Sequence, residues 1–367
     1  MNRTQIFIDY LQAEPFIIQL IWVTAVLLFF LLIGLIIYLK VLRSHLRERE
    51  LIVAKYENSY ELLLITYLYS ESDGTNLSSE QKAIIKKLKR GIIINFKRKV
   101  IVNALLKLKN EISGEMADDI LDLYARTKLK DYAISKLKNS NWDVVVRGIR
   151  ELTLFEVKEC ENEIRKLVDH PKKEVRKEVQ LYFIHLFNFE GLDFLNELKT
   201  PLSEWDQIQL LEELQKFDNQ QIPDITPWLT SENDYVVIFA LKLSKIYNQF
   251  GMKDVLLNLL EHKNKKVRLE LMPVLSYLHI TESKELLKQS FKDKSLDEQV
   301  SIFKLLEELG DPSDDVFIQE NVQNENFEIK FRALKLLKNI SNDKFLELDL
   351  VSAEPDFLNL VNYVKNN

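Results

Sequence analysis

The chain of 367 residues is 46% hydrophobic, enough to bury a large core, and its eight glycines and eight prolines leave little material for hairpin turns or phosphate-cradling loops. Its net charge of −6 is uneven: residues 1–109 carry +7 and residues 110–367 carry −13, a balance that disfavours non-specific binding to phosphate backbones. Cys160 is the only cysteine, which excludes an intrachain disulfide and any cysteine-cluster metal site and suits a reducing compartment.

Residues 1–15 form a short tail with Arg3 against Asp9 and Glu14. From Phe16 to Leu39 no residue is charged, and at ~1.5 Å per residue this run is about 36 Å long, enough to cross a ~30 Å hydrocarbon layer. Trp22 and Tyr38 lie near its ends, where amphipathic rings anchor. The run is too long for a signal peptide and no small-residue cleavage pattern follows it, so 16–39 is expected to be a retained transmembrane helix. Lys40, Arg43, Arg47 and Arg49 follow it directly, and positive flanks stay inside. The sequence thus predicts a single-pass protein of a bacterial inner (plasma) membrane, with the 1–15 tail extracytoplasmic and everything beyond the span cytoplasmic.

Residues 40–69 continue as a stalk helix. Leu42, Leu46, Val53, Tyr56, Tyr60, Leu63 and Tyr67 follow steps of four and three, with Arg49 at the missing position. Two uses fit this stripe: a parallel coiled coil making a homodimer, or packing on the first helices of the body. The polar run Ser70–Ser79 with Gly74 then breaks the helix. Residues 70–128 read as a basic helical segment with a degenerate first repeat. Between 82 and 109 lie ten Lys/Arg and no acid, interleaved with Ile84, Ile85, Leu88, Ile92, Ile93 and Phe96. Lys86, Lys87, Lys97, Arg98 and Lys99 are candidate contacts to anionic lipid; the alternative is a solvated basic face.

Residues 129–367 repeat. Aligning DVVVRGIREL, KEVRKEVQLY, WDQIQLLEEL, DYVVIFALKL, KKVRLELMPV, DEQVSIFKLL and FEIKFRALKL gives the apolar column Val146, Val175, Ile208, Val236, Val267, Val300 and Ile329, at spacings of 29, 33, 28, 31, 33 and 29. Five residues before it stand Asn141, His170, Ser203, Ser231, His262, Ser295 and Asn324, a column of helix N-cap types in five cases of seven. Acids precede the anchor in six units, as the positive end of a helix dipole favours.

The turn, acid and Val-Arg pattern resembles HEAT repeats, best in residues 164–187 and 255–278. The resemblance implies an all-α, HEAT-like α-solenoid of about seven to nine helix pairs, whose second helices line the concave side. It makes Arg147, Arg176, Arg268 and Lys330 candidate partner-binding residues, although such a ladder also pairs with acids of the neighbouring turn. No nucleotide-binding, hydrolase or metalloprotease motif occurs. His170 and His262, three repeats apart in one turn column, read as caps, Cys160 as core, and Trp142, Trp205 and Trp228 as packing at the turns. No cofactor, metal or catalysis is expected. The function expected is a membrane-tethered scaffold binding a protein partner and no nucleic acid. The alternatives are an accessory subunit of a membrane enzyme such as an envelope polysaccharide synthase, or a HEAT-like enzyme of the DNA glycosylase or bilin lyase type.

Overall fold

The computed structural model describes residues 15–70, 77–217, 222–351 and 355–366; the tail of residues 1–14 lies outside them. Among the described residues the chain is helical and contains no strand. It divides into two compact units, one ending at Ala133 and the other beginning at Ile134.

In the first unit, span and stalk are one continuous helix, α1, Phe16–Tyr69. It starts after Pro15, which cannot donate a ladder hydrogen bond, and ends where Ser70 turns extended. Its apolar first half is exposed, with no other described residue covering it. α2 (Ser79–Ile92) opens with a capping box between Ser78 and Gln81, whose side-chain amide also donates to the carbonyls of Tyr67 (3.3 Å) and Ser70 (3.4 Å). At its other end Gly91 meets the Tyr60 hydroxyl: a Cβ there would lie 2.7 Å from it. The two contacts fix α2 antiparallel to α1. α3 (Asn95–Glu111) and α4 (Glu115–Arg126) complete a core of Ile84, Leu88, Ile101, Leu105 and Tyr124. Tyr60, Leu64, Tyr67 and Leu68 of α1 are buried in it, whereas Leu42 and Leu46 are exposed. The lower half of the stalk stripe is therefore occupied by the chain's own helices.

The rest of the chain pairs short first helices with longer second ones. The pairs are α5 (Leu129–Lys136), which straddles the division, with α6 (Trp142–Leu154), and α7 (Glu161–Arg165) with α8 (Lys173–Phe187). A 3₁₀ segment, Asn188–Asn196, pairs with α9 (Glu204–Leu214), and α10 (Thr226–Leu229) with α11 (Asp234–Ile246). α12 (Lys253–Asn258) precedes α13 (Lys265–Tyr277), α14 (Ser283–Ser290) precedes α15 (Leu296–Leu309), and α16 (Asp315–Asn321) precedes α17 (Phe327–Ile340). α18 (Asn342–Val351) and α19 (Pro355–Asn366) close the series. These eight pairs among the described residues are a helical-repeat solenoid, as the sequence predicts: most second helices pack on the second helix of a neighbouring pair, and several also bury apolar residues against their own first helix.

The aligned column divides into two kinds of turn. At Val175, Val236, Val267 and Ile329 the anchor is wholly buried, and the N-cap lies three residues before it, at Lys172, Asn233, Asn264 and Asn326. At Val146, Ile208 and Val300 the helix begins five residues before the anchor, at Asn141, Ser203 and Ser295. The two extra residues turn the anchor partly out of the core at Val146 and Ile208, whereas Val300 stays buried. Ile208 is 44% exposed and the neighbouring Gln207 takes the interior place, bonding to the carbonyl of Leu202 at 3.1 Å.

Candidate interaction surface

Where the N-cap lies three residues before the anchor, the residue two positions ahead of the cap accepts from the cap's own amide. His170 Nδ1 accepts from the Lys172 amide and His262 Nδ1 from the Asn264 amide, both at 3.1 Å; Ser231 and Asn324 do the same at 3.2 and 3.0 Å. The two histidines thus cap a turn ahead of the helix, not the helix itself. An imidazole held this way keeps its remaining proton on Nε2 when neutral.

Arg176 and Arg268 close the same turns from within the helix. Arg176 donates to the carbonyls of His170 (2.8 Å) and Pro171 (3.3 Å), and Arg268 to those of His262 (2.6 Å) and Lys263 (3.3 Å). Arg268 also reaches Glu298 of the next pair at 2.6 Å. Burial raises the cost of ionising Glu298, but its bonds from Arg268 and Ser295 outweigh that and hold its pKa down at about 2. Arg147 makes only an exposed i,i+4 pair with Asp143 at 2.7 Å, and Lys330 is half-buried on α17.

What the second helices do present is apolar. Trp142, Trp205, Tyr235, Leu296 and Phe327 all stand in the first turn of their helices, and all are exposed, Trp205 at 65% and Phe327 at 68%. A side chain one or two places after an N-cap is set before the first core position and so points away from the stack. Glu204 and Lys266 pair at 2.7 Å between the first turns of α9 and α13, two helices apart. The expectation that Trp142 and Trp205 pack at their turns is thereby corrected. Trp228 does pack: it is buried and its indole donates to Asn196 at 2.9 Å.

Near the other end of the second helices an open groove of about 700 Å³ runs over α11, α13 and α15, lined by Lys245, Glu270, Pro273, Tyr277, Lys304 and Glu308. Its charges are mixed in sign, and Lys245 lies 5.4 Å from the Tyr277 ring centre. Cys160 is buried beside the Tyr182 hydroxyl, which donates to the Val157 carbonyl at 2.6 Å; burial pushes both the thiol and the phenol up, so neither is a ready nucleophile. Among the described residues no group of three His, Cys, Asp or Glu is placed to hold a metal ion.

In the first unit Lys86, Lys87 and Lys99 are exposed. Lys97 lies 5.2 Å from the Tyr56 ring centre, and Arg98 donates to the Ile92 carbonyl (3.1 Å) and Asn95 (2.9 Å) while stacking over Tyr132. Between them, at the tip joining α2 to α3, Ile93 and Ile94 are 72% and 49% exposed.

Comparison with protein-family models and with curated proteins finds no match. Solved structures do resemble the fold. An engineered protein is 14% identical, over 84% of this chain and 88% of its own, at a TM-score of 0.33. The CpcE–CpcF complex of phycocyanin lyase from Nostoc sp. PCC7120 is 13% identical over 81% and 97%, at 0.23. A tubulin-recruiting microtubule polymerase with TOG domain arrays is 12% identical over 85% and 91%, at 0.26. All three TM-scores are below 0.5, and the fold assignment rests on the helix pairs of this chain itself.

Proposed function

We propose that this chain is a membrane-tethered adaptor that performs no chemistry of its own: α1 crosses a plasma membrane once, with residues 1–15 outside, and the helical repeats meet a protein partner in the cytoplasm. The observation that carries the tether is α1 itself, 54 residues long, whose uncharged run from Phe16 to Leu39 is left uncovered by the other described residues. So long an apolar surface in water would cost tens of kcal/mol at ~25 cal/mol per Å², and a bilayer removes that cost. The partner surface is the line of exposed first-turn residues Trp142, Trp205, Tyr235, Leu296 and Phe327, since aromatic anchors contribute most per residue at protein interfaces. Arg176 and Arg268 close the turns that open the intervening helices α8 and α13, and Arg147, paired with Asp143, and Lys330 share α6 and α17 with Trp142 and Phe327.

Alkaline washing of membranes tests the tether: the full chain should stay with the lipid and a chain lacking residues 1–39 should be released. Release of the full chain would end the reading. The partner surface is tested on the chain in native membranes with a photo-crosslinking side chain at 205 or 327. A discrete adduct should form there and not from the buried position 228, and adducts from neither exposed site would reject that surface.

A further inference from the structure

The tip joining α2 to α3 combines three features that no packing need explains. Ile93 and Ile94 stand out at 72% and 49% exposure. Lys89, Arg90, Lys97 and Lys99 flank them, and no acid occurs from residue 82 to residue 109. The hairpin is also aimed: Gln81 meets Tyr67 and Ser70, Gly91 meets Tyr60, and Phe96 meets Tyr56 at 5.8 Å between ring centres, so the tip points back along α1 toward its uncharged run.

We infer that this tip is a second membrane contact, in which the basic groups around Ile93 and Ile94 face the lipid phosphates of an anionic bilayer. The inference rests on the reading of α1 as a membrane span. Geometry makes it specific. Tyr56 is seventeen residues past Leu39, or ~25 Å along the helix at ~1.5 Å each, so an upright α1 would hold the tip clear of the headgroups. The uncharged run does not fit upright, however. Its ~36 Å exceed a ~30 Å hydrocarbon layer, and tilting is one way such an excess is accommodated; a lean of ~35° would bring the two into register. With ~10 Å between packed helix axes, that lean lowers the tip to ~15 Å above the hydrocarbon if it falls toward the hairpin side. A lysine side chain spans most of the remaining distance to the headgroups, and what is left is within the ~8 Å Debye length. Length permits the lean, and the basic tip would select its direction.

The test uses the full chain with Cys160→Ser, reconstituted in nanodiscs, and a single cysteine at position 94 or, as control, at position 26 within the span. Each carries an environment-sensitive fluorophore. In discs containing anionic lipid the label at 94 should shift to the blue and be quenched from the headgroup level; in zwitterionic discs, or at ~0.5 M salt where screening shortens, it should report water. The label at 26 should be quenched from mid-chain in both lipids. Lys89→Gln, Arg90→Gln, Lys97→Gln and Lys99→Gln together should abolish the response at 94 without loss of helical signal. A label at 94 that stays in water on anionic discs, while the label at 26 is buried, overturns the second contact alone. A label at 26 in water overturns the span and the second contact with it.

Discussion

Glu156, Asn248 and His279 each end a second helix with positive φ, at 54°, 51° and 52°. The bonds are those of a Schellman closure: after Glu156 the Val157 amide reaches the Leu152 carbonyl at 2.9 Å, and after His279 the Ile280 amide reaches Leu275 at 3.0 Å. A side chain in this region costs about 1 kcal/mol or more, and glycine removes most of that cost while adding unfolded-state entropy. Glu156→Gly and His279→Gly should each slow amide exchange in their own repeat, by about 0.5–1 kcal/mol of local stability. Gly191 is the opposite case. A Cβ there would lie 2.2 Å from the Phe183 carbonyl oxygen, backbone that cannot step aside, so Gly191→Ala should destabilise its repeat by roughly 1–3 kcal/mol or more, visible as a lowered melting temperature. Neither site was legible in the sequence, because closeness of two backbones leaves no periodic trace.

Second helices were legible because an apolar column recurs every 28 to 33 residues; first helices were not, since several are single turns or 3₁₀ segments too short to show a period. Their cohesion comes partly from buried charge. Lys284 on α14 is almost covered and bonds Asp314 at 2.8 Å, while Lys288 bonds the same wholly buried carboxylate at 2.7 Å. Those bonds hold the Asp314 pKa below the usual carboxylate range against the opposing effect of burial. Asp314→Ala would leave two ammonium groups without their buried partner, and a loss of about 3–5 kcal/mol in the pairs α14–α15 and α16–α17 is expected by hydrogen exchange. Glu298 gives a pH signature. Its pKa falls from 4.5 to about 2 on folding, so its contribution is complete above ~4.5 and disappears as pH drops toward 2. At ~1.4 kcal/mol per pKa unit this is of order 3 kcal/mol, and Glu298→Gln should flatten the acid limb of the melting curve between those pH values.

At the scale of the whole molecule, the sequence carries a sign as well as a span. The first 109 residues hold +7 and the remainder −13, and the basic groups nearest the uncharged run, Lys40, Arg43, Arg47 and Arg49, all follow it. The preceding tail offers Arg3 against Asp9 and Glu14. Insertion keeps lysine and arginine on the cytoplasmic side, and the count is made within ~15–20 residues of the span, so the bias here is four to one within ~15 residues and, with Lys55, five to one within ~20. That asymmetry is the whole of the orientation signal, which makes it open to reversal by few changes. A reporter that is active only in the cytoplasm, fused after residue 367, should be active on the natural chain, and protease added outside intact cells should leave the repeats whole. Replacing the four basic residues with glutamine while adding three lysines to the tail should invert a measurable share of molecules, seen as falling reporter activity and new cleavage from outside. The inverted share should also lose any crosslink formed at positions 205 and 327, because their partner would then lie across the membrane. If the natural chain is cleaved from outside, the orientation is the reverse and the basic flank does not govern it.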